Sequence, residues 1–380
     1  MERTALDRRN VALLWVLILS AYLLVYANAP ISIDGADTLD VAATLLQHGK
    51  PAATRITTSR QLIEANAEQE FYTLSPDGER YSKKGVTPSL ALLPFVGLAQ
   101  LTPALSTRAT AMLFNPLVTM LTVWQLYVFA RFLKATPNIA ALLALIFAFA
   151  TMSIVYVKTL FGEPLAGLLL LVAFYHCAAY AQDRRLGRSA LVGIALALAL
   201  GVNLSYALLV VPFGLFLVWS GRGWRAGVCY LLPVAFMLGF LAYWNILRYG
   251  SPFNTGYGLA NNVEGFTTPV LYGIVGLWLS FYKGIFWFQP ILLAGFFGLH
   301  KAWRAYRPLF ILALSVTAVH TVTYATWWAW DGAWSWGGRF MLPLLPVMML
   351  ALLPALNAAR HSRRIRRTLD GTPALADHNL

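Results

Sequence analysis

Two acidic side chains follow closely on the first long apolar stretch of the sequence. They are the ends of the motif Asp34-Gly-Ala-Asp37, a few residues after the apolar run 11–29. A carboxylate so near a hydrophobic stretch is partly removed from water, which raises its pKa toward the range useful for a general base. Two structural interpretations stay open: Asp37 as a helix N-cap with Asp40 completing a capping box, and Asp34 in an Asp-Gly turn.

Basic side chains border several apolar runs and are candidates for binding a negatively charged group. Arg339 ends the motif Trp334-Ser-Trp-Gly-Gly-Arg339. Glycine allows close approach, tryptophan is enriched at membrane interfaces, and the arginine fork suits phosphate. The motif predicts a site for an anionic lipid headgroup, while a tryptophan belt with a snorkelling arginine is the alternative. The basic residues of this kind are Lys83, Lys84, Lys158, Arg248, Lys283 and Arg339.

The turn containing Lys158 and Glu163 has two interpretations. The two side chains could pair with each other, or they could take part in substrate binding. The sequence has no ligand spacing typical of a metal site, no phosphate-binding glycine loop and no nucleophile elbow. We therefore predict neither a metal nor a cofactor.

The elements that must position these side chains are transmembrane helices. Hydrophobic residues make up 58% of the 380 residues, charged residues make up 12%, and the mean hydropathy is +0.61. A helix needs about 20 apolar residues to cross the hydrocarbon core. We predict an all-α polytopic membrane protein with about ten spans. Their approximate bounds are 11–29, 109–130, 138–157, 163–182, 189–203, 205–220, 225–247, 285–300, 307–328 and 339–357.

The net charge of +13 comes from clusters of Lys and Arg in short connectors. Such clusters mark the cytoplasmic side of a membrane protein, where they contact anionic headgroups. Nucleic acid is therefore not needed as a partner. Both termini are then cytoplasmic, and residues 30–108 and 248–283 form two large loops on the outer face. We treat 1–367 as one transmembrane domain and 368–380 as a disordered cytoplasmic tail.

Several segments have a predicted local structure. A helix after the acidic motif ends at Gly49, and a small hairpin turns at 76–78. Residues 86–102 form an interfacial or re-entrant helix, because a crossing there would place most later basic clusters outside. The uncharged stretch 189–220 is too long for one helix and is predicted to break near Asn203 and Ser205. In the helix predicted after the acidic motif, the residues that form one apolar stripe are Leu39, Ala42, Ala43 and Leu46.

These segments together resemble the GT-C superfamily of membrane glycosyltransferases. The branch they resemble includes protein O-mannosyltransferases, lipid A aminoarabinose transferases and rhizobial lipopolysaccharide glycosyltransferases. The resemblance covers most of the chain through short, degenerate motifs. Asp34-Gly-Ala-Asp37 stands where the family has its catalytic acid, and Gly35 interrupts the acidic pair of the mannosyltransferases. The other similar segments are Tyr81-Ser-Lys-Lys-Gly85, Val157-Lys-Thr-Leu-Phe-Gly-Glu163, Ser280-Phe-Tyr-Lys283 and Trp334-Ser-Trp-Gly-Gly-Arg339.

The resemblance implies a GT-C-like fold and transfer of a sugar from a polyprenyl phosphate or diphosphate carrier to an acceptor hydroxyl on the outer face. Asp34, or Asp37 in another register, would be the base, and direct displacement would invert the anomeric centre. Arg339 would hold the departing phosphate with one or more of the lysines, and Glu163 would lie close to the substrate. The implied partners are the donor lipid, membrane lipids, and an envelope lipid, polysaccharide or protein acceptor. The lysines are Lys83, Lys84, Lys158 and Lys283.

Two other functions use the same residues. A transporter or flippase of a lipid-linked saccharide would bind its cargo with the outer basic and aromatic side chains. It is disfavoured because coupling needs charged residues within the spans, and the sequence has almost none there. An assembly protein that presents the first loop to partners is disfavoured because the sequence indicates no cysteine-stabilised ectodomain.

Overall fold

The computed structural model describes residues 2–52, 72–74, 79–257 and 265–358. The first half of the chain contains α1 (Glu2–Leu24), α2 (Ile33–His48), β1 (Tyr72–Leu74), β2 (Arg80–Ser82), α3 (Val86–Leu101), α4 (Thr107–Met112), α5 (Phe114–Phe132), α6 (Pro137–Phe149), α7 (Ser153–Tyr156), α8 (Glu163–Asp183) and α9 (Leu186–Val202).

The second half contains a 3₁₀ helix (Leu204–Leu209), α10 (Val210–Leu217), a π-helical turn (Val218–Arg222), α11 (Trp224–Tyr249), α12 (Val270–Trp278), α13 (Ile285–Phe288), α14 (Leu293–Phe296), α15 (Leu299–Thr326) and α16 (Leu345–Met349). Further 3₁₀ helices cover Pro290–Leu292, Arg339–Leu344 and Leu350–Leu352.

The protein is a multi-pass membrane protein. Six helical stretches of the described chain are long and apolar enough to cross a membrane: Thr107–Phe132, Glu163–Asp183, Leu204–Gly221, Trp224–Tyr249, Leu299–Thr326 and Arg339–Ala358. Four apolar helices are shorter: Ala12–Leu24, Val86–Leu101, Pro137–Phe149 and Leu186–Val202. The number of ten spans stays a prediction, since length and composition alone support six.

The predicted span 285–300 is not one helix. It is divided into α13, a 3₁₀ turn and α14, because Pro290 lacks an N–H donor and breaks the helical ladder. Residues 301–306, which the sequence predicts as a connector between this span and the next, instead belong to α15. This helix runs from Leu299 to Thr326 with a kink at Tyr306. Tyr306 has non-helical angles (φ −138°, ψ 38°) two residues before Pro308, whose ring clashes with the preceding helical turn and which lacks an N–H donor.

The predicted break in 189–220 is confirmed at Asn203. Asn203 has an extended backbone (φ −156°, ψ 131°), and its side-chain oxygen accepts a hydrogen bond from the Ser205 N–H at 2.9 Å. This bond caps the following 3₁₀ helix, since asparagine favours such positions.

The helix that carries the acidic motif begins before both Asp34 and Asp37, so neither residue caps it or lies in a turn ahead of it. Ser32 is the N-cap of α2, and its hydroxyl accepts from the Gly35 N–H. Asp37 as N-cap is therefore wrong, and so is Asp34 in a turn, because both lie inside the helix. Gly49 ends α2 with φ +67°, as predicted. Within the predicted apolar stripe, Leu39, Ala42 and Ala43 are buried, whereas Leu46 is exposed.

The described parts of the first loop fold against the helical bundle. Strands β1 and β2 pair antiparallel with Tyr72 opposite Ser82, where the sequence predicts a hairpin. The predicted turn 76–78 lies outside the described residues. Helix α3 packs on α2, where the Ser89 hydroxyl donates to the Thr38 carbonyl at 3.0 Å. Gly85, between β2 and α3, lies against the end of α9, since a Cβ there would be 2.1 Å from the Val202 carbonyl oxygen.

Helices α9 and α11 approach each other through Gly193. A Cβ at this position would lie 2.2 Å from the Tyr230 carbonyl oxygen, so only glycine allows the contact. The neighbouring Ser189 hydroxyl donates to the Ala226 carbonyl at 2.6 Å. Small side chains and hydroxyl groups thus join the two backbones inside the apolar bundle.

We expect Gly193→Ala to destabilise the protein by about 1–3 kcal/mol through overpacking. The matched control is Gly187→Ala in the same helix, where nothing lies within 4 Å of an added Cβ. That substitution should be neutral or slightly stabilising, because alanine is the better helix former. Thermal unfolding of the detergent-solubilised variants measures the difference. Equal transition midpoints for the two variants would contradict the close approach of α9 and α11.

Candidate functional site

Four charged side chains from distant parts of the chain meet in one cluster. Lys84 Nζ lies 2.8 Å from Asp34 Oδ1, and Arg339 Nη1 lies 2.9 Å from Asp34 Oδ2. Arg339 Nε also pairs with Glu163 Oε1 at 3.0 Å. We call Asp34, Lys84, Glu163 and Arg339 the charge cluster. It contains two positive and two negative groups, so their charges balance.

The charge cluster forms where element ends converge. Asp34 lies in the first turn of α2, and Lys84 lies in the connection between β2 and α3. Glu163 is the first residue of α8, and Arg339 is the first residue of a 3₁₀ helix. Two of these residues therefore begin candidate spans, which places the cluster at an end of the helical bundle.

The connection that carries Lys84 is held by the end of α11. Arg248 Nη1 donates to the Ser82 carbonyl at 2.6 Å, and the Tyr249 hydroxyl donates to the same oxygen at 2.7 Å. Arg248 Nη2 donates to Asn245 Oδ1 at 2.8 Å. With Gly85 against Val202, these bonds fix the backbone on both sides of Lys84. Arg248 thus acts on the backbone of this connection.

The backbone before Arg339 is held by two long-range side chains. Lys283 Nζ donates to the Ala333 carbonyl at 2.8 Å and also to the Ser335 carbonyl. The Tyr156 hydroxyl donates to the Trp336 carbonyl at 2.7 Å.

On the C-terminal side of Arg339, His320 Nε2 lies 2.6 Å from the Phe340 carbonyl oxygen. That contact is a hydrogen bond in the tautomer that carries its proton on Nε2. The arginine side chain is also packed between rings, with its guanidinium carbon 4.6 Å from the centroid of Phe161 and 4.9 Å from that of Phe340. Arg339 is therefore positioned from several directions.

The glycines of the Trp334–Arg339 motif have separate structural reasons. Gly337 has φ +61°, a conformation that favours glycine, and its Cα faces the Phe288 ring. A Cβ on Gly338 would lie 2.7 Å from the Lys283 carbonyl oxygen. Trp334 and Trp336 are exposed, as expected for interfacial aromatics.

The two cations hold Asp34 as a carboxylate. Burial alone opposes its ionisation, but the charges of Lys84 and Arg339, with their hydrogen bonds, outweigh this effect and lower the pKa of Asp34 to about 2. Burial likewise disfavours the charged form of Lys84, yet Asp34 raises the Lys84 pKa above its ordinary value. The pair is therefore ionised throughout the physiological pH range.

Asp37 and Asp40 face the protein interior instead. They are 1% and 2% exposed. Asp37 accepts a hydrogen bond from the Ser82 hydroxyl, and one oxygen of each carboxyl group has no partner among the described residues. Burial raises the pKa of Asp37 to about 7 and that of Asp40 to about 8. Neither carboxyl group takes part in the ion pairs of Asp34.

The predicted basic residues separate into different environments. Lys84 and Arg339 belong to the charge cluster. Lys83 is buried, with its ammonium 5.8 Å from the Tyr257 ring centroid. Lys283 is buried and binds backbone carbonyls, so its placement indicates a role in holding the loop before Arg339. Lys158 is exposed. Of the two interpretations of Lys158 and Glu163, the pairing of the two side chains is wrong, because Glu163 forms its ion pair with Arg339.

Sequence reasoning missed several residues that shape the site. Tyr156, Tyr249 and His320 bind backbone carbonyls next to it, and Tyr257 interacts electrostatically with Lys84. No local pattern distinguishes these side chains from other aromatics of the spans. Within the described ranges, no group of three or more His, Cys, Asp or Glu residues could hold a metal ion.

We expect Glu163→Gln to destabilise the protein by about 1–3 kcal/mol, because it leaves the buried Arg339 with one carboxylate fewer. The side chains of Glu163 and Arg339 are only 15% and 13% exposed, so water screens the pair weakly. Lys158→Gln, on the exposed side of the same turn, is the control and should change little. Thermal unfolding in detergent measures both. A Glu163→Gln protein as stable as the control would contradict the ion pair.

We also expect stability to fall with rising pH because of Asp40. Its pKa is raised from an ordinary 3.8 to about 8, so between these values the folded chain holds a proton that the unfolded chain has released. One such proton lowers the free energy of unfolding by about 1.4 kcal/mol per pH unit. Asp40→Asn should make the decline of the unfolding midpoint between pH 5 and 8 shallower, whereas the exposed Asp183→Asn should not. Parallel pH profiles for all three proteins would refute this.

No known family model and no curated protein matches this chain. Solved structures do match. ArnT from Cupriavidus metallidurans in the apo state superposes with a TM-score of 0.59 at 14% identity, over 97% of this chain and 63% of that one. ArnT bound to undecaprenyl phosphate gives 0.63 at 13% identity, over 95% and 63%.

A second neighbour is the archaeal oligosaccharyltransferase AglB from Archaeoglobus fulgidus, in complex with an inhibitory peptide and a dolichol-phosphate. Its TM-score is 0.53 at 12% identity, over 97% of this chain and 52% of that one. The chain thus spans less than two thirds of the length of these neighbours. ArnT and AglB are GT-C superfamily members, and at this level of identity the likeness concerns the fold. The chain thus shares the fold of these two proteins, which supports the GT-C-like fold that the resemblance of its sequence motifs implies.

Proposed function

We propose that this protein is an integral-membrane glycosyltransferase, adding a hexose or pentose to an acceptor hydroxyl on the extracytoplasmic face from a polyprenyl-phosphate carrier. One observation carries the proposal: a carboxylate, Asp34, lies between two cations, Lys84 and Arg339, at an end of the bundle. Two structural neighbours support a lipid phosphate as ligand, since one is bound to undecaprenyl phosphate and the other to a dolichol-phosphate.

The cations suit the leaving group. When the bond between the anomeric carbon and the phosphate oxygen breaks, negative charge grows on the phosphate. Arg339 offers a planar set of N–H donors and Lys84 a compact charge, and both would stabilise that charge most as it develops. Glu163 keeps Arg339 oriented through the 3.0 Å ion pair. Lys83 and Lys283 lie outside the charge cluster and are proposed to add to the positive potential that Lys84 and Arg339 create for the phosphate.

The carboxylate suits the acceptor. In direct displacement, the acceptor oxygen attacks the anomeric carbon while the carrier phosphate departs with the bonding electron pair. The hydroxyl proton passes to Asp34, and the configuration at the anomeric carbon inverts. Asp37 is the less suitable base, because it is 1% exposed and its carboxylate accepts from Ser82.

The proposed setting follows the charge distribution of the chain. Basic clusters in the short connectors favour cytoplasmic termini, which would place the charge cluster on the outer face of the cell membrane. The donor would reach the site from the bilayer with its isoprene chain along apolar helix surfaces. The acceptor would be an envelope lipid, polysaccharide or protein, with membrane lipids around the spans.

We expect Asp34→Asn to lower sugar transfer by about 100-fold or more, since it removes the group that takes the acceptor proton. The assay uses membranes containing the protein, radiolabelled polyprenyl-phosphate sugars and an envelope extract as acceptor. Asp183→Asn, an exposed acid at the far end of α8, is the control and should keep full transfer.

Full transfer by Asp34→Asn would refute the proposed base. Movement of the labelled lipid across the bilayer, with no transfer by the unmodified protein, would instead favour a transporter of lipid-linked saccharides.

A further inference from the structure

The proposed base and the proposed donor need the same two cations. Each oxygen of Asp34 already has its own cation, Oδ1 with Lys84 and Oδ2 with Arg339. The donor phosphate would require those N–H groups for itself. Resting on the proposed function, we propose that Asp34 competes with the donor phosphate for Lys84 and Arg339, and becomes an effective base only when the phosphate takes them over.

The charge balance supports this competition. The charge cluster is neutral by itself, with two cations and two carboxylates. A phosphodiester adds one negative charge, so the occupied cluster has an excess of anionic groups. An added anion favours proton uptake by a neighbouring carboxylate. The acceptor hydroxyl is a source of that proton, and its transfer to Asp34 lowers the local negative charge.

The groups around Asp34 determine which way its proton affinity moves. Lys84 faces it from the connection after β2, and Arg339 faces it from the start of the 3₁₀ helix. Glu163 at the start of α8 and Asp37 on the same helix are both acidic and interact with it electrostatically. Once a phosphate draws the two cations away, the described titratable groups that still interact with Asp34 are the acids Glu163 and Asp37. Their negative charges favour protonation of Asp34, whose pKa would rise from about 2.

The competition also has a geometric basis. Arg339 keeps its Nε contact with Glu163 if only its Nη1 contact with Asp34 is exchanged. The guanidinium can therefore turn one donor to a phosphate while remaining anchored. Lys84 has a flexible stem and three N–H donors, and its side chain is 29% exposed, so the side chain has room to move. Both cations can change partner through side-chain movement alone.

The consequence is an order of events. Acceptor hydroxyls, including water, meet a weak base as long as Asp34 holds both cations. Activation of the acceptor follows donor binding, which limits wasteful loss of the donor sugar to water during loading. The device needs no moving lid, because the exchange of ion pairs in one cluster is sufficient.

The test uses methyl citronellyl phosphate, a short phosphodiester with one negative charge and no transferable sugar. Its affinity is measured by calorimetry on the full-length, detergent-solubilised protein at pH 7 and at pH 4.5. Competition predicts that Asp34→Asn binds the probe about tenfold more tightly at pH 7, since a competing carboxylate is gone. It also predicts at least threefold tighter binding to the unmodified protein at pH 4.5 than at pH 7, because proton uptake by Asp34 accompanies binding. The Asp34→Asn protein should lack this pH dependence.

The outcomes separate the competition from the proposed function. Loss of binding in Lys84→Met would show that the probe occupies the proposed donor site. If Asp34→Asn then binds the probe equally or more weakly than the unmodified protein, with the same pH dependence, the competition is overturned and the donor site stays in place. If no protein binds the probe, the phosphate assignment itself fails and the proposed function fails with it. The pH comparison within the unmodified protein tests the idea even if Asp34→Asn does not fold.

Discussion

A charge near an apolar bundle requires an opposite charge, and the architecture of this protein depends on meeting that requirement. Asp34, Lys84, Glu163 and Arg339 come from four different segments, and each is stable there because another balances it. Loss of one partner would leave an uncompensated charge in a poorly hydrated place, which costs more than the pair contributes when complete. The cluster therefore ties the first loop to α8 and to the last candidate span.

The backbone next to Lys84 and Arg339 is also fixed in place, chiefly by side chains that bind its carbonyl groups. Lys283, Tyr156 and His320 bind the chain on either side of Arg339, and Arg248 binds the chain before Lys84. Each bond satisfies a backbone carbonyl oxygen next to a residue of the charge cluster. A rigid frame of this kind suits a site whose charges must be placed to within a fraction of an ångström.

Local features of the fold could be predicted from the sequence, whereas the partners of the site could not. Asn203 and Gly49 end helices for reasons contained in a few neighbouring residues, and both were predicted. Asp34 and Arg339 were named as site residues because of their types and positions. Their contact was not, since 305 residues separate them and no periodicity encodes such a pair. Lys158 is one candidate partner of Glu163 in the sequence analysis because proximity in sequence is the only guide available there, and the actual partner, Arg339, lies far along the chain.

The wide separation of Asp34 and Arg339 along the chain has a consequence for biosynthesis. The first loop is made early, so Asp34 and Lys84 can meet long before the ribosome reaches the last candidate span. Arg339 and the carbonyl-binding side chains around it complete the arrangement only after that span has entered the bilayer. A nascent chain arrested before this point would hold Asp34, Lys84 and Glu163 without the guanidinium that pairs with both acids. Membrane insertion of the segment that carries Arg339 would therefore be the step that completes the charge cluster.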